Sequence, residues 1–305
     1  MGKPTSRMTG AASCALYLTR ESSQPLSADA VRAELGEFRE LLVSQRELKI
    51  RGVGNGWHCG FHEAAGTERL RAQLDQLSDA LAVDYFFLPD RAALPSPALL
   101  VFDMDSTLID CEVIDQLAIH AGVGEQVAAV TEAAMRGKLE FRDSLIARVA
   151  LLKGLGTESL QRVRDNLQLN PGVAGLLNAA ATHQCRVAIA SGGFTVFAES
   201  LQSRLPIWTF AANRLQVSDG QLDGTVAEPI VDAGFKARQL RHWSAELDLD
   251  PSQVVAVGDG ANDLAMLAAA GLGVAYHAKP AVREAAAANI RFGSMNALRL
   301  VFGWH

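Results

Sequence analysis

The sequence predicts an α/β protein with a doubly wound parallel sheet, an inserted α-helical cap and a small N-terminal α+β domain. Three apolar runs, at residues 99–102, 186–190 and 254–257, predict buried strands because they lack the alternation of a half-exposed strand. Helical patterns separate these runs, as the crossovers of a parallel sheet require. A short strand at 272–276 and a hairpin at 213–226 complete the pattern. The chain of 305 residues is long enough for two or three domains.

We expect residues 1–95 to form the N-terminal domain together with the linker that follows it. Along the chain we expect a strand at 15–18, a helix at 31–42, a hairpin turn at 54–56 before an alternating strand at 57–61, a helix at 70–81 and a strand at 84–88. The order β-α-β-β-α-β resembles the ferredoxin-like pattern, which is the architecture of the small regulatory ACT domains. A domain that binds an effector and one that only docks or dimerises are both open.

The proline content and the long helical stretch predict the remaining boundaries. Three prolines within residues 89–97 predict a linker before the first buried strand. After Thr107, helical segments continue to about Leu177 without a strand candidate, which predicts a lid over a site. An ordinary helical subdomain is the alternative. We expect the catalytic core at 96–112 and 178–305, and the cap at 113–177.

Composition and charge exclude several classes of function. The net charge is −6, from 28 basic and 34 acidic side chains, and no long basic run indicates a nucleic-acid partner. No apolar stretch reaches the roughly 18 residues of a membrane-spanning helix, and no signal peptide is evident, so we expect a cytoplasmic protein without a membrane partner. The four cysteines are scattered and form no C-x-x-C motif, which favours reduced thiols over disulfides or zinc ligands.

The first apolar run leads directly into two carboxylates, Asp103 and Asp105. Open α/β sheets bind ligands beyond the carboxyl ends of their strands, and residues two apart on an extended segment point the same way. Two such carboxylates repel each other unless a cation joins them or one keeps a proton, and Mg²⁺ suits oxygen ligands beside a phosphate. The alternative is a turn in which Asp105 or Ser106 merely caps the next helix.

Two further strand ends and one lysine complete a set of groups suited to phosphoryl transfer. A carboxylate can attack phosphorus and become an aspartyl phosphate, while a hydroxyl, backbone amides and a lysine can hold the phosphate oxygens. Each of these residues, taken alone, more often belongs to an ordinary turn or is a solvated side chain. Only their joint occurrence predicts phosphoryl transfer. The groups are Ser191 with Gly192 and Gly193 after the second strand, Lys236, and Asp259 with Asp263 after the third strand.

These motifs together resemble those of the haloacid dehalogenase-like phosphatases, which are D-x-D-x-[TV], a Ser or Thr after the second strand, a Lys and an acidic pair. They stand here at 103–107, at Ser191, at Lys236 and at 258–263. Longer stretches within residues 98–293 resemble the phosphoserine phosphatases of that family, at 102–107, 130–137, 188–195, 258–264 and 275–280. The resemblance implies Mg²⁺-dependent hydrolysis of O-phospho-L-serine, the last step of L-serine biosynthesis, through an aspartyl phosphate.

The resemblance also implies a role for each residue of the motifs. Asp103 would be the nucleophile, and Asp105 the general acid that protonates the leaving serine oxygen and then activates water. Mg²⁺ would be held by Asp103, by the backbone carbonyl of Asp105 and by Asp259, with Asp263 supporting the metal site and Lys236. The implied phosphate ligands are Ser191, Gly192, Gly193, Lys236 and Asn262.

In the predicted cap, the resemblance extends to Glu112, Met135, Phe141 and Arg148. Within the family, the acidic residue meets the ammonium of the substrate and the arginine meets its carboxylate. This agrees with the needs of a zwitterion, and an arginine suits a carboxylate bidentately. Met135 and Phe141 would close the pocket and exclude water. Without the family, Arg148 would be read as a solvated helix residue.

Other functions are kept as alternatives. A receiver-type phospho-acceptor domain uses similar groups, but its nucleophile comes from a later strand and it has no helical insertion. A phosphatase of the same fold could act on another small phosphomonoester, although the pair of Glu112 and Arg148 argues against that. A small-molecule substrate is the expected partner, and the sequence leaves open a homodimer and an amino-acid effector of the N-terminal domain.

Overall fold

The structure, a computed structural model, describes residues 14–21, 26–61, 67–88 and 93–305. Residues 89–92 of the predicted linker lie outside the described residues. The chain divides into two compact units, of which one is residues 1–95 with 287–305 and the other is residues 96–286.

The N-terminal part of the chain forms an antiparallel sheet with two helices. Its elements are β1 (Cys14–Arg20), α1 (Ala28–Glu34), β2 (Leu42–Ile50), β3 (Gly54–Phe61), α2 (Thr67–Leu81) and β4 (Asp84–Leu88). The described strands are ordered β2-β3-β1-β4, and each neighbouring pair is antiparallel. Apolar residues of α1 and α2, such as Val31 and Leu74, pack on one core with Leu16 of β1. The predicted ferredoxin-like order is therefore confirmed.

The helix predicted over 31–42 is shorter than expected. It ends at Glu34, because Gly36 has a φ of +56° and the chain continues as a 3₁₀ turn until β2 begins at Leu42. The helical spacing of apolar residues continues past Glu34 because Leu35 and Phe38, in the turn, are buried in the same core as Val31.

The hairpin turn lies at residues 51–53 and not at 54–56. Gly56 belongs to β3, where a Cβ atom would overlap the carbonyl oxygen of Leu18 on β1. Glycine is required there for the close approach of two strands rather than for a turn.

The second unit, residues 96–286, is described throughout. Its elements are β5 (Leu99–Phe102), α3 (Val113–Ala121), α4 (Gly124–Met135), α5 (Phe141–Leu151), α6 (Thr157–Asn166), α7 (Val173–Thr182), β6 (Arg186–Phe194), α8 (Thr195–Arg204), β7 (Thr209–Asn213), β8 (Leu215–Ser218), β9 (Gln221–Val226), α9 (Ala233–Glu246), β10 (Val254–Gly258), α10 (Leu264–Ala269), β11 (Leu272–Tyr276) and α11 (Pro280–Ala285). Five strands pair in parallel in the order β11-β10-β5-β6-β7, which confirms the predicted sheet.

The order of these strands explains where a site can form. β5 lies in the middle, and the chain leaves it for β6 on one side and reaches β10 on the other side only later. Such a reversal of direction opens a crevice beyond the carboxyl ends of the strands. The motifs after β5, β6 and β10 therefore meet at one edge.

Helices α3 to α6, here called the helical insertion, follow β5 as the sequence predicts. The hairpin β8–β9 turns at residues 219–220 and is hydrogen-bonded to the insertion, since Gly154 N donates to Leu222 O at 2.8 Å and Leu222 N donates to Leu155 O at 2.9 Å. The boundary predicted at residue 177 falls inside α7, which packs against β6 of the sheet.

The C-terminal residues differ from the predicted domain division. The strand β12 (Ala288–Ile290) pairs antiparallel with β4, and the helix α12 (Asn296–Phe302) packs against β1 and β3. Asp84 helps to hold this segment, because its carboxylate accepts from the backbone N–H groups of residues 291–293 at 2.6–2.9 Å. Residues 287–305 thus belong with the N-terminal unit, whereas the sequence assigned them to the core.

The four cysteines, all within the described residues, form no disulfide. Burial raises the pKa of the Cys59 and Cys185 thiols to about 12, so both stay protonated at neutral pH. Among the described residues, no helix has the length and apolar character needed to cross a membrane.

Candidate active site

A cavity of about 610 Å³ lies at the carboxyl ends of β5, β6 and β10, and the helical insertion covers it. Most of the predicted site residues line it, and the two that do not, Lys236 and Asp263, are fully buried. The predicted residues in its wall are Asp103, Asp105, Glu112, Met135, Phe141, Arg148, Ser191, Gly192, Gly193, Asp259 and Asn262.

Asp103 is held by groups from three elements. Its backbone N–H donates to Val257 O at 2.9 Å, which continues the pairing of β5 with β10 by one residue. Its carboxylate accepts from Met104 N at 2.7 Å through Oδ1 and lies 2.8 Å from Lys236 Nζ through Oδ2. The carboxylate is therefore fixed in direction before any ligand binds.

Lys236 bridges two carboxylates in the interior. Its Nζ atom lies 2.8 Å from Asp103 Oδ2 and 2.7 Å from Asp263 Oδ1. Burial lowers the pKa of the lysine, but the charges of Asp103 and Asp263 outweigh that effect and raise it above its ordinary value. Lys236 is therefore a permanent cation at the end of β5.

Asp263 organises the loop that follows β10. Its Oδ2 atom accepts from the backbone N–H groups of Asp259 at 3.1 Å and Gly260 at 3.0 Å. Burial and the nearby Asp103 raise the pKa of Asp263, and Lys236 opposes this rise. With its oxygens so engaged, Asp263 supports the site rather than facing the cavity.

Three carboxylates form a group that can hold a cation. Oxygen atoms of Asp103, Asp259 and Asp263 lie within 4.8 Å of one another. Burial and then Asp103 raise the pKa of Asp259 to about 6, and Thr107 Oγ1 donates to Asp259 Oδ1 at 2.9 Å. A donor set of oxygen atoms with unbalanced negative charge suits a hard divalent cation.

Asp105 is buried at the floor of the cavity, and its Oδ1 atom has no hydrogen-bond partner within the described residues. Burial raises the pKa of this carboxyl well above its usual value, and Glu112 and Asp103 raise it further. The backbone N–H of Val113, at the start of α3, acts in the opposite direction. Asp105 can thus carry a proton at a pH at which an ordinary aspartate could not.

The last residues of β6 present a hydroxyl and backbone amides to the cavity, because the strand predicted over 186–190 continues to Phe194. Ser191 Oγ accepts from Gly193 N at 2.9 Å, which leaves its proton for a ligand. A Cβ atom at Gly193 would lie 2.6 Å from Met104 Cε and 3.0 Å from Asp105 Oδ2, so any larger residue there would displace the Met104 side chain. Buried Asn213 stabilises the segment, because its Nδ2 donates to Gly192 O at 2.8 Å and its Oδ1 accepts from Val231 N at 2.8 Å.

Glu112, just before α3, Asp115 of α3 and Arg148 of α5 bring acidic and basic groups to the same wall of the cavity. Glu112 Oε1 accepts from Ser106 Oγ at 2.8 Å, and Ser106 is in the left-handed region with a φ of +57°. Burial raises the pKa of Glu112, while Ser106 and Arg148 act against this rise. Burial lowers the pKa of Arg148, which the charge of Glu112 partly restores. Acidic and basic side chains therefore face the same cavity.

Apolar side chains border the rest of the cavity. The ring of Phe141 lies over Gly192, where an added Cβ atom would come within 2.9 Å of Phe141 Cζ. Met135 is exposed at the mouth, and its Sδ atom lies 3.7 Å from Lys279 Nζ. Phe141 and Met135 therefore bring the insertion against the core on two sides.

Sequence reasoning missed several residues of the site. Thr107 holds Asp259, Asn213 holds Gly192, and Ser144 lines the cavity beside Arg148. Thr107 stands inside the D-x-D-x-T motif, so its position was a usable signal. Nothing local distinguished Asn213 or Ser144 from any other polar residue.

Residues 97–271 match the family model described as haloacid dehalogenase-like hydrolase. This chain belongs to the haloacid dehalogenase-like hydrolases. The assignment decides against the receiver-type alternative and agrees with the order of the motifs after β5, β6 and β10.

Similar proteins of this hydrolase family include phosphoserine phosphatases. The phosphoserine phosphatase of Haemophilus influenzae is 46% identical over 216 residues, which cover 71% of this chain and 69% of that protein. A solved probable phosphoserine phosphatase from Vibrio cholerae has a TM-score of 0.76 and 35% identity, and covers 95% of this chain and 86% of that one. A hydrolase of the family from Salmonella enterica has a TM-score of 0.85 and 30% identity, with 95% and 98% covered.

Proposed function

We propose that this hydrolase converts O-phospho-L-serine to L-serine and phosphate, the last step of L-serine biosynthesis. The observation that carries the proposal is the pair of Glu112 and Arg148 on the cavity that also contains Asp103. An amino acid presents one cation and one anion, and these two side chains are complementary to both. The similarity to phosphoserine phosphatases supports the same substrate.

Asp103 is the proposed nucleophile. Its carboxylate attacks phosphorus, the bond from phosphorus to the serine oxygen breaks, and an aspartyl phosphate forms. The contacts of Asp103 with Met104 N and Lys236 Nζ hold it in one orientation, which reduces the entropy lost on reaching the transition state.

Asp105 is the proposed general acid and base. Its raised pKa lets it bring the proton that the leaving serine oxygen takes up. The ionised Asp105 then removes a proton from the water that attacks the aspartyl phosphate. That second step releases phosphate and restores both aspartates.

The cavity also provides groups for the phosphate and for a metal. Asp103, the backbone carbonyl of Asp105 and Asp259 are the proposed Mg²⁺ ligands, because Asp263 is already engaged by Lys236 and two backbone N–H groups. When bound, Mg²⁺ would neutralise charge on the phosphoryl oxygens. The proposed phosphate ligands are Ser191, Gly192, Gly193, Lys236 and Asn262.

The helical insertion would recognise the serine part of the substrate. Glu112 pairs with the ammonium and Arg148 with the carboxylate, while Met135 and Phe141 exclude water from the reacting atoms. We infer from this that residues 113–177 act as a cap and that the reaction takes place in the cytoplasm. For the N-terminal unit, effector binding and docking both stay predictions.

The test is phosphate release from O-phospho-L-serine with Mg²⁺, compared with a panel of sugar phosphates and nucleotides. We expect a strong preference for phosphoserine, and its loss in Asp103→Asn. Hydrolysis of the panel without that preference would retain Asp103 as nucleophile and contradict the roles of Glu112 and Arg148. Full activity of Asp103→Asn would contradict the mechanism.

A further inference from the structure

Ser144 on α5 carries a buried hydroxyl that none of the described residues pairs with. The residue is 1% exposed, and it lines the cavity of the active site. A serine or threonine inside a helix commonly donates to the carbonyl four residues earlier. Thr131, which lines the same cavity from α4, does so with Val127 O at 3.1 Å. Ser144 does not use this arrangement, so its hydroxyl is left for a ligand.

An unpaired hydroxyl of this kind is unfavourable for folding. Burying a polar group without a partner costs more than the average hydrogen bond contributes, because the group loses water and receives nothing in return. An alanine in its place would avoid the cost. A bound molecule that accepts a hydrogen bond in the cavity would remove the cost at the moment of binding.

The position of Ser144 indicates which part of a ligand it meets. Phe141, Ser144, Leu145 and Arg148 all line the cavity, and their spacing places them on one face of α5. Arg148 Nε donates to the backbone carbonyl of Ser144 at 3.3 Å, which orients the guanidinium beside the serine. Ser144 and the guanidinium therefore adjoin on the face of α5 that lines the cavity, where an anionic group of the ligand meets a cation.

We propose that Ser144 Oγ donates a hydrogen bond to the carboxylate of the substrate, beside Arg148, and so helps to select α-amino-acid phosphomonoesters. A carboxylate can accept from the guanidinium and the hydroxyl together, because its two oxygens offer about four lone pairs. A site with such donors rejects an analogue that lacks the carboxylate, since the donors are then left unpaired. The inference rests on the proposed function and adds a specificity-determining residue to it.

The test compares O-phospho-L-serine with O-phosphoethanolamine, which has the ammonium and the phosphate but no carboxylate. In Ser144→Ala we expect kcat/KM for phosphoserine to fall about 10-fold to 100-fold, the range for one hydrogen bond to a charged group. The loss is expected mainly in KM. Activity on phosphoethanolamine should stay within about twofold, and the Tm without substrate should be equal to or higher than that of the wild type.

Thr131→Val is the matched control, because it removes a hydroxyl from the same cavity wall that already has a partner in its own helix. It should leave the ratio of the two substrates unchanged. Equal losses on both substrates in Ser144→Ala, a lower Tm, or no loss at all would assign Ser144 to packing and overturn the inference. If the wild type itself does not prefer phosphoserine, the proposed function fails and the inference with it. If that preference is as strong in Ser144→Ala as in the wild type, the inference alone fails.

Discussion

At the scale of single residues, the site concentrates more negative charge than its cations balance. Lys236 is fully buried between two carboxylates, while Arg148 and Lys279 line the cavity. Such an excess in a place with little water raises pKa values and attracts cations. The same feature therefore accounts for the raised pKa of Asp105 and for a group of carboxylates that suits a cation. The carboxylates concerned are Asp103, Asp105, Glu112, Asp259 and Asp263.

The change Asp105→Asn should separate binding from turnover. An amide keeps the size of the side chain but can neither give nor take the proton, so we expect kcat for phosphoserine to fall by about 10² to 10⁴ with KM little changed. An ester with a good leaving group, such as p-nitrophenyl phosphate, needs no proton in the first step. It should give a burst of about one equivalent of nitrophenol and then stop. Near-normal turnover of phosphoserine would remove Asp105 from this role.

Asp259 predicts a pH dependence of metal binding. Its folded pKa of about 6 lies above the usual value of about 3.9, so in the metal-free protein its contribution to stability is complete below about pH 4 and is lost as the pH rises through 6. Cation ligands must be ionised. We therefore expect Mg²⁺ to raise the Tm more at about pH 7.5 than at about pH 5. The metal-induced shift should shrink in Asp259→Asn, and an equal shift at both pH values would contradict the prediction.

At the scale of elements, the hairpin β8–β9 and the helical insertion support each other. Gly224 of β9 has a φ of +86°, and a Cβ atom there would lie 3.0 Å from Lys153 Cβ. The bidentate ion pair of Arg142 with Glu228 joins the start of α5 to the chain that leads into α9. Neither the contact of Gly224 with Lys153 nor the ion pair of Arg142 with Glu228 lines the cavity. The orientation of the insertion thus depends on residues that take no part in the chemistry.

Two glycines of this hairpin offer a matched pair for testing the contact. Gly224→Ala and Gly220→Ala both place a side chain at positive φ, but a Cβ atom at Gly220 meets nothing within 4 Å. The backbone cost, about 1 kcal/mol, should appear in both. In Gly224→Ala, crowding against Lys153 should lower the free energy of unfolding by about 1–3 kcal/mol more. Urea denaturation measures the free energy of unfolding of both variants. Equal decreases in the two would show that Lys153 moves aside without cost.

At the scale of the whole molecule, the two compact units are not consecutive pieces of sequence. The chain completes the N-terminal unit with its last residues, because β12 adds to β4 and α12 packs on the same sheet. Trp304, at 1% exposure, and Leu298 are buried by this packing. A truncation at residue 95 therefore separates the apolar residues of β12 and α12 from the strands that they pack against.

This arrangement predicts how truncations behave. The fragment 96–305 should aggregate, because β12 and α12 lose the sheet that covers them. The fragment 96–286 should not aggregate and should keep the hydrolysis, since it includes the whole cavity lining. Size-exclusion chromatography and phosphate release on the two fragments provide the measurement. Equal behaviour of both fragments would contradict the division.

Much of the core could be predicted because its signals are local. Four apolar residues before Asp103, glycines after Ser191 and acidic residues after β10 are visible in short windows. The N-terminal unit was harder, because the spacing of Leu35 and Phe38 continues beyond the end of α1. Gly56 was assigned to a turn because a short stretch of sequence does not show that β1 passes close to this residue.

The sequence by itself determined the buried strands that precede the motifs, the helical insertion and the motif residues, because burial patterns and motif order are properties of neighbouring residues. Only the tertiary structure decided that Lys236 lies between Asp103 and Asp263, that residues 287–305 return to the N-terminal unit, and that the Ser144 hydroxyl has no partner. Each of these depends on contacts between residues far apart along the chain. Those contacts form only when the strands have taken their order in the sheet.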